Sequence, residues 1–140
     1  MEGQYVDTTF LPFLSKADQK ANKMAANFVK YTGAGNAASF GAYTFSAGIA
    51  FRDAVNSIVK TDGINGITRQ AILTALGKIH SFDAEGLLGT IDLAGRKVSQ
   101  CDVTMQVKNG AFVRVNPTKP GTYSCSPKNV IRRKLDLSTG

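Results

Sequence analysis

Apolar residues in this chain follow two different rhythms, and the switch between them limits the folds it can take. Between Ala17 and Ile79 they recur every three or four residues; between Val103 and Val115 they alternate with polar ones. The first period marks helices with one apolar face, the second marks strands with one buried face. Asn109-Gly110 sits between Val103, Met105 and Val107 on one side and residues 111–115 on the other. Asn-Gly between alternating runs is the strongest short-range hairpin signal. A helical region followed by an antiparallel hairpin is therefore expected, and 140 residues are one domain's worth.

The spacing predicts three helices. Ser15 or Asp18 is placed to cap the first, over 16–31, whose stripe is Ala17, Ala21, Met24, Ala25 and Phe28 and whose stop is Gly33. The second, over 38–60, has a broad face of Phe40, Tyr43, Ala47, Phe51, Ala54, Val55, Ile58 and Val59, widened by Ala42, Phe45 and Ile49. Gly41 and Gly48 lower its helix propensity, which close packing against a neighbour would explain. Thr68 caps the third, over 68–79. Residues 5–13 read as a strand entering a loop at Pro12, 87–93 as a short strand, 117–127 as a loop and 130–137 as a last strand.

Charge is unevenly placed. Residues 1–95 hold eight basic and eight acidic side chains; residues 96–140 hold nine basic ones against Asp102 and Asp136, so the whole net charge of +7 lies there. A nucleic-acid or anionic-membrane surface is one reading of such a segment, and a solvated face is the other. Its cations are spaced out apart from Arg132-Arg133-Lys134, without the interleaved aromatics of a stacking platform. Cys101 and Cys125 flank the hairpin. Taken alone, a disulfide between them and two buried free thiols stay equally open. The polar start Met1-Glu2-Gly3-Gln4 is followed by no apolar signal segment.

Motifs for chemistry are scarce. Gly33-Ala34-Gly35-Asn36-Ala37-Ala38 fits GxGxxA, with Asp53 about 20 residues on, but a dinucleotide site needs a buried strand before it. The preceding residues have helical spacing, so a helix–helix turn is expected. His80 is the one histidine, too few for a zinc site with two cysteines, and its place at the end of the third helix suits capping of carbonyls. Asp83 and Glu85 sit in a turn rather than across a cleft, which does not suit a glycosidase pair.

Four stretches carry a family resemblance. They are the run from Tyr5-Val6-Asp7-Thr8 to Phe13; Ser39-Phe40-Gly41-Ala42-Tyr43 through Phe51-Arg52-Asp53-Ala54-Val55; Phe82-Asp83-Ala84-Glu85-Gly86-Leu87-Leu88-Gly89 through Asp92 and Gly95-Arg96; and Met105-Gln106-Val107-Lys108-Asn109-Gly110-Ala111-Phe112-Val113. In this order the chain resembles the C-terminal part of a type I periplasmic substrate-binding protein of the branched-chain amino-acid (leucine-binding-like) family of ABC importers. The resemblance implies an α/β fold: part of one lobe, helices plus a parallel strand, with a C-terminal antiparallel β-hairpin. Residues 1–95 would be the helical and strand part of a ligand-binding lobe. Residues 96–140 would be the basic hairpin and C-terminal segment at the hinge or second lobe, and the chain a fragment of a larger two-lobe protein.

The same resemblance implies a non-enzymatic, extracytoplasmic protein that closes about a hinge on a small amino-acid-like ligand. It implies no cofactor and no metal. Its partner is an importer permease, and no nucleic acid is expected. Location is periplasmic or extracellular at the cell surface, with membrane association through the transporter or a missing lipid anchor. Phe40 is the first candidate to face the ligand, then Tyr43, then Leu11 and Pro12 after the first strand. A secreted family also implies a Cys101–Cys125 disulfide. Truncation implies that the chain alone binds no amino acid. The alternative is a small basic adaptor binding nucleic acid or anionic surfaces through residues 96–140.

Overall fold

The computed structural model describes residues 2–131. Strand β1 (Tyr5–Thr8) ends well before the expected boundary, and Phe10, Leu11, Pro12 and Phe13 continue as buried loop. Ser15 then caps α1 (Lys16–Ala21), its hydroxyl accepting from the Asp18 amide at 3.3 Å. The expected single helix breaks at Asn22. That residue is extended; its side-chain oxygen accepts from the Ala25 amide at 2.9 Å and starts α2 (Lys23–Thr32). Its amide group meanwhile donates to the Glu85 carbonyl at 2.9 Å. Asn favours such side-chain bonds over helix interior, so one apolar stripe is carried by two helices. Gly33, at φ 78°, ends α2.

Helix α3 (Ser39–Asp62) is slightly longer than expected and buries only part of the expected face. Ala42, Ser46, Ile49, Ala50, Ala54 and Ile58 point inward, whereas Phe40, Tyr43, Ala47 and Phe51 lie outward. At the start of α3 the approach to α2 is close: a Cβ on Gly41 would stand 3.3 Å from the Phe28 ring, which Phe45 also meets at 5.6 Å between ring centres. Gly48, by contrast, has open space around it, and nothing in the packing requires glycine there. Thr68 caps α4 (Arg69–Leu76) through the Ala71 amide at 3.1 Å, and this helix packs on α3 without burying any of its residues fully.

Residues 77–100 are turns and single bridges rather than the strand expected over 87–93. Ala84, Glu85 and Gly86 form a turn at positive φ, 51°, 57° and 82°, and Leu88, Ile91 and Asp92 then make single antiparallel bridges to Phe10, Phe82 and Lys97 rather than one ladder. Strands β2 (Cys101–Lys108) and β3 (Ala111–Asn116) form the expected hairpin, with Asn109 and Gly110 at φ 52° and 73°. The Glu2 carboxylate accepts from both turn amides, at 2.9 and 3.4 Å. Strand β4 (Ser124–Cys125) pairs with Cys101 and Asp102 after β3 has left β2 at Thr104. The sheet order is β1-β2-β3, and every pairing among the described strands is antiparallel. The parallel strand implied by the resemblance is thus not among them: Tyr5 opposes Gln106 and Thr8 opposes Val103, so β1 runs against β2. Val130 and Ile131 are not strand, and 132–137 lie outside the described residues.

On the inner sheet face Val103 and Met105 meet Phe10, Leu11 and Phe28 in a continuous core, and Val107 is buried on the same face. Phe13 stands edge-on to Phe28 at 4.9 Å between ring centres, and Phe10 edge-on to Tyr43 at 5.5 Å. One buried polar centre interrupts this apolar packing. Arg114 of β3 shares the inner-face alternation of Phe112, yet is charged. Its guanidinium grips the Asp18 carboxylate of α1, with side chains 7% and 1% exposed. It also donates to the Pro117 and Thr122 carbonyls at 3.1 and 2.9 Å, and the Gly121 amide donates to Asp18 at 2.9 Å. Residues 117–123 therefore form a strap laid over α1.

Candidate aromatic wall and apolar groove

The four candidate ligand residues fall into two layers. Phe40, at the first turn of α3, is 83% exposed. Tyr43, one turn on, is 42% exposed; its hydroxyl shares a hydrogen bond with Thr9 at 2.9 Å and its ring abuts Phe10. Leu11 and Pro12 are buried behind them. The Leu11 amide donates to the Leu87 carbonyl at 3.0 Å, so this loop is structural support rather than open surface. Tyr43 is thus seated on the 9–13 loop, and Phe40 stands exposed one turn before it.

Beside Tyr43 runs a groove of about 540 Å³, mostly apolar, between α3, the end of α4 and residues 82–96. Ala47 and Ala50 give it room, and Leu76, Leu88, Ile91 and Leu93 line it. Arg96 is the charged side chain in its lining. Sequence reasoning missed this groove. The signal was present in Ala47, a small residue set between Tyr43 and Phe51 on what the periodicity marks as a core face.

His80 does not cap α4, which ends at Leu76. Its Nδ1 lies 3.0 Å from Asp92, which also accepts from the Gly95 amide at 2.7 Å and lies 3.1 Å from the Lys97 ammonium. The Gly95 amide foremost, then Lys97, holds the Asp92 carboxyl below its ordinary value. A second cavity, about 390 Å³, adjoins this cluster and the Cys101–Cys125 disulfide. On the outer sheet face, desolvation and then the neighbouring Asp7 charge raise the Asp102 carboxyl.

The expected disulfide is present and closes a separation of 24 residues. It fits an oxidising compartment outside the cytoplasm. No helix among the described residues is long and apolar enough to cross a membrane. The GxGxxA stretch joins α2 to α3, with a helix rather than a strand before it. Of the basic C-terminal residues, Arg114 is buried on Asp18 and Lys97 is paired with Asp92. Arg132, Arg133 and Lys134 lie outside the described residues. No family model, curated protein or solved structure matches the chain.

Proposed function

We propose that this chain is part of the extracytoplasmic solute-binding component of an ABC importer, located in the periplasm or at the cell surface. It holds a small amino-acid-like ligand by hinge closure and delivers it to the importer permease. One observation carries the reading. The long helix begins with two outward aromatic side chains, Phe40 and Tyr43, and the second is fixed against Thr9 and Phe10. Aromatic residues on a rigid wall are the usual apolar half of a small-ligand site, and closure of a second wall supplies the other half. Such a wall alone leaves a ligand's charged groups in water, so the chain by itself binds no free amino acid.

Deletion of the gene in its source cell tests this. Uptake of one labelled amino acid or related solute is expected to fall and to return with the intact gene, but not with Phe40→Ala. Unchanged uptake across a full solute panel overturns it. The alternative of a small basic adaptor acting through residues 96–140 has less to stand on, because Arg114 and Lys97 are already paired with carboxylates. Salt-dependent retention on heparin would favour that alternative.

A further inference from the structure

We infer that the groove beside α3 is a binding site for an apolar monocarboxylate, a molecule with a hydrocarbon body and one anionic head. Its volume of about 540 Å³ falls within the ordinary range of small-molecule sites. Its walls are hydrocarbon: Ala47 and Ala50 from α3, Leu76 from α4, and Leu88, Ile91 and Leu93 from the 82–96 segment. Apolar walls of this extent gain by excluding water around a hydrocarbon chain.

The head group follows from the charges. Arg96 is the charged residue of the lining, and among the described residues it makes no ion pair. It projects from the tight turn closed by the Asp92–Lys97 bridge, held at φ 51°. The nearest acid along the chain, Asp92, is already committed to the Gly95 amide, Lys97 and His80. Arg96 is an exposed residue of this apolar lining, and a planar guanidinium matches a carboxylate with two parallel hydrogen bonds. The carbonyls at the end of α4 would repel an anion, but those of Leu73, Ala75 and Leu76 are taken by the amides of Gly77, Lys78 and Ile79. The lining holds no carboxylate, so a free amino acid would bring an ammonium group with no partner, which is costly to bury. The site therefore selects acids without an amine, and this inference does not rest on the transport reading.

Calorimetric titration of the full chain with octanoate, octanamide and leucine tests it. Octanoate is expected to bind saturably, one molecule per chain. Octanamide, and octanoate with Arg96→Gln, are expected to bind about tenfold more weakly or worse, the loss of a charge-assisted pair. Ala47→Phe, which fills the trough and leaves Arg96 in place, should abolish binding while far-ultraviolet dichroism stays unchanged. Equal binding of octanoate and octanamide, binding of leucine as tight as octanoate, or no binding of octanoate overturns the proposal. So does a shift of the Ala47, Leu88 and Leu93 amide resonances with protein concentration alone, which would assign the groove to a second copy of the chain. Octanoate binding with unchanged solute uptake in the deletion strain would leave this site standing and remove the transport reading.

Discussion

Around α1 the protein is held by polar groups in fixed geometry; along α3 and α4 it is held by apolar contact on one side. At the α1 end, Asp18 and Arg114 join a helix to a strand, the strap lies between them, and the Tyr123 hydroxyl donates to the Leu87 carbonyl at 2.6 Å. No buried side-chain nitrogen or oxygen among the described residues lacks a partner. At the other end α4 buries nothing fully, and Ile64, Leu73 and Phe51 remain exposed. A satisfied polar network specifies one arrangement, because each partner left alone costs more than the pair contributes. An apolar face specifies only that something should cover it. The first region is finished by its own residues, and the second has surface left for another molecule.

The contrast breaks most sharply at Asp18. Asp18→Ala leaves the buried Arg114 guanidinium without its carboxylate and should cost about 3–5 kcal/mol in urea unfolding. Joint replacement, Asp18→Leu with Arg114→Met, should recover most of that loss, since well-packed apolar pairs often replace buried ion pairs at little cost. A single variant as stable as the parent would show that the network does not hold this end.

The disulfide ties β4 back to the start of β2. Cys101→Ala with Cys125→Ala opens the 24-residue separation and should cost about 3–4 kcal/mol. Intact mass with and without reductant, followed by alkylation, checks the bond itself. At the hairpin tip, Gly110→Val forces a β-branched residue to φ 73° and should lower stability by about 1 kcal/mol or more. An unchanged melting midpoint would count against the turn.

Tyr123 gives the α1 end a dependence on pH. Burial holds its phenol well above the ordinary 10.0, so the folded protein keeps it protonated. A folded value above the unfolded one means that its stabilisation is full below pH 10.0 and declines as pH rises beyond it. Tyr123→Phe should cost about 1 kcal/mol at neutral pH, the worth of its hydrogen bond, and should flatten the alkaline decline. Equal alkaline slopes for both proteins would place the titration elsewhere. The smallest effect belongs to the open end: Leu73→Ser on α4, where the side chain is 52% exposed, should change stability by less than about 0.5 kcal/mol.

The same contrast separates what the sequence reveals from what it hides. Local rules were sufficient for Ser15 and Thr68 as caps, Gly33 as a stop, and Asn109-Gly110 as the turn, because each acts within four residues. The break at Asn22 depends on Glu85, far along the chain, and no local period contains it. On α3 periodicity finds Ala42, Ile49, Ala54 and Ile58, which are buried, but not that Ser46 and Ala50 lie inside while Phe40 and Phe51 lie outside, because bulk alone does not say which side has a neighbour. The run 87–93 has strand composition, but its bridges go singly to three separate partners, Phe10, Phe82 and Lys97, which composition does not reveal. Of the candidate residues, Phe40 and Tyr43 are exposed on α3 and Leu11 and Pro12 are buried, a division periodicity does not give, and the groove with Arg96 appears only when α3, α4 and the 82–96 segment are brought together.

The register of β1 has a consequence for how the chain acquires its fold. Tyr5 pairs with Gln106, and Glu2 closes the turn at Asn109. Helices α1 to α4 are built from local bonds and can form as soon as they leave the ribosome. The first strand cannot be completed until almost all the intervening residues have emerged, which takes several seconds at about 5–20 residues per second. During that interval Tyr5–Thr8 presents open backbone to any other strand nearby. Late closure between distant segments is slow for the same reason that it is costly in chain entropy. Tyr5–Thr8 is therefore open to mispairing until β2 arrives.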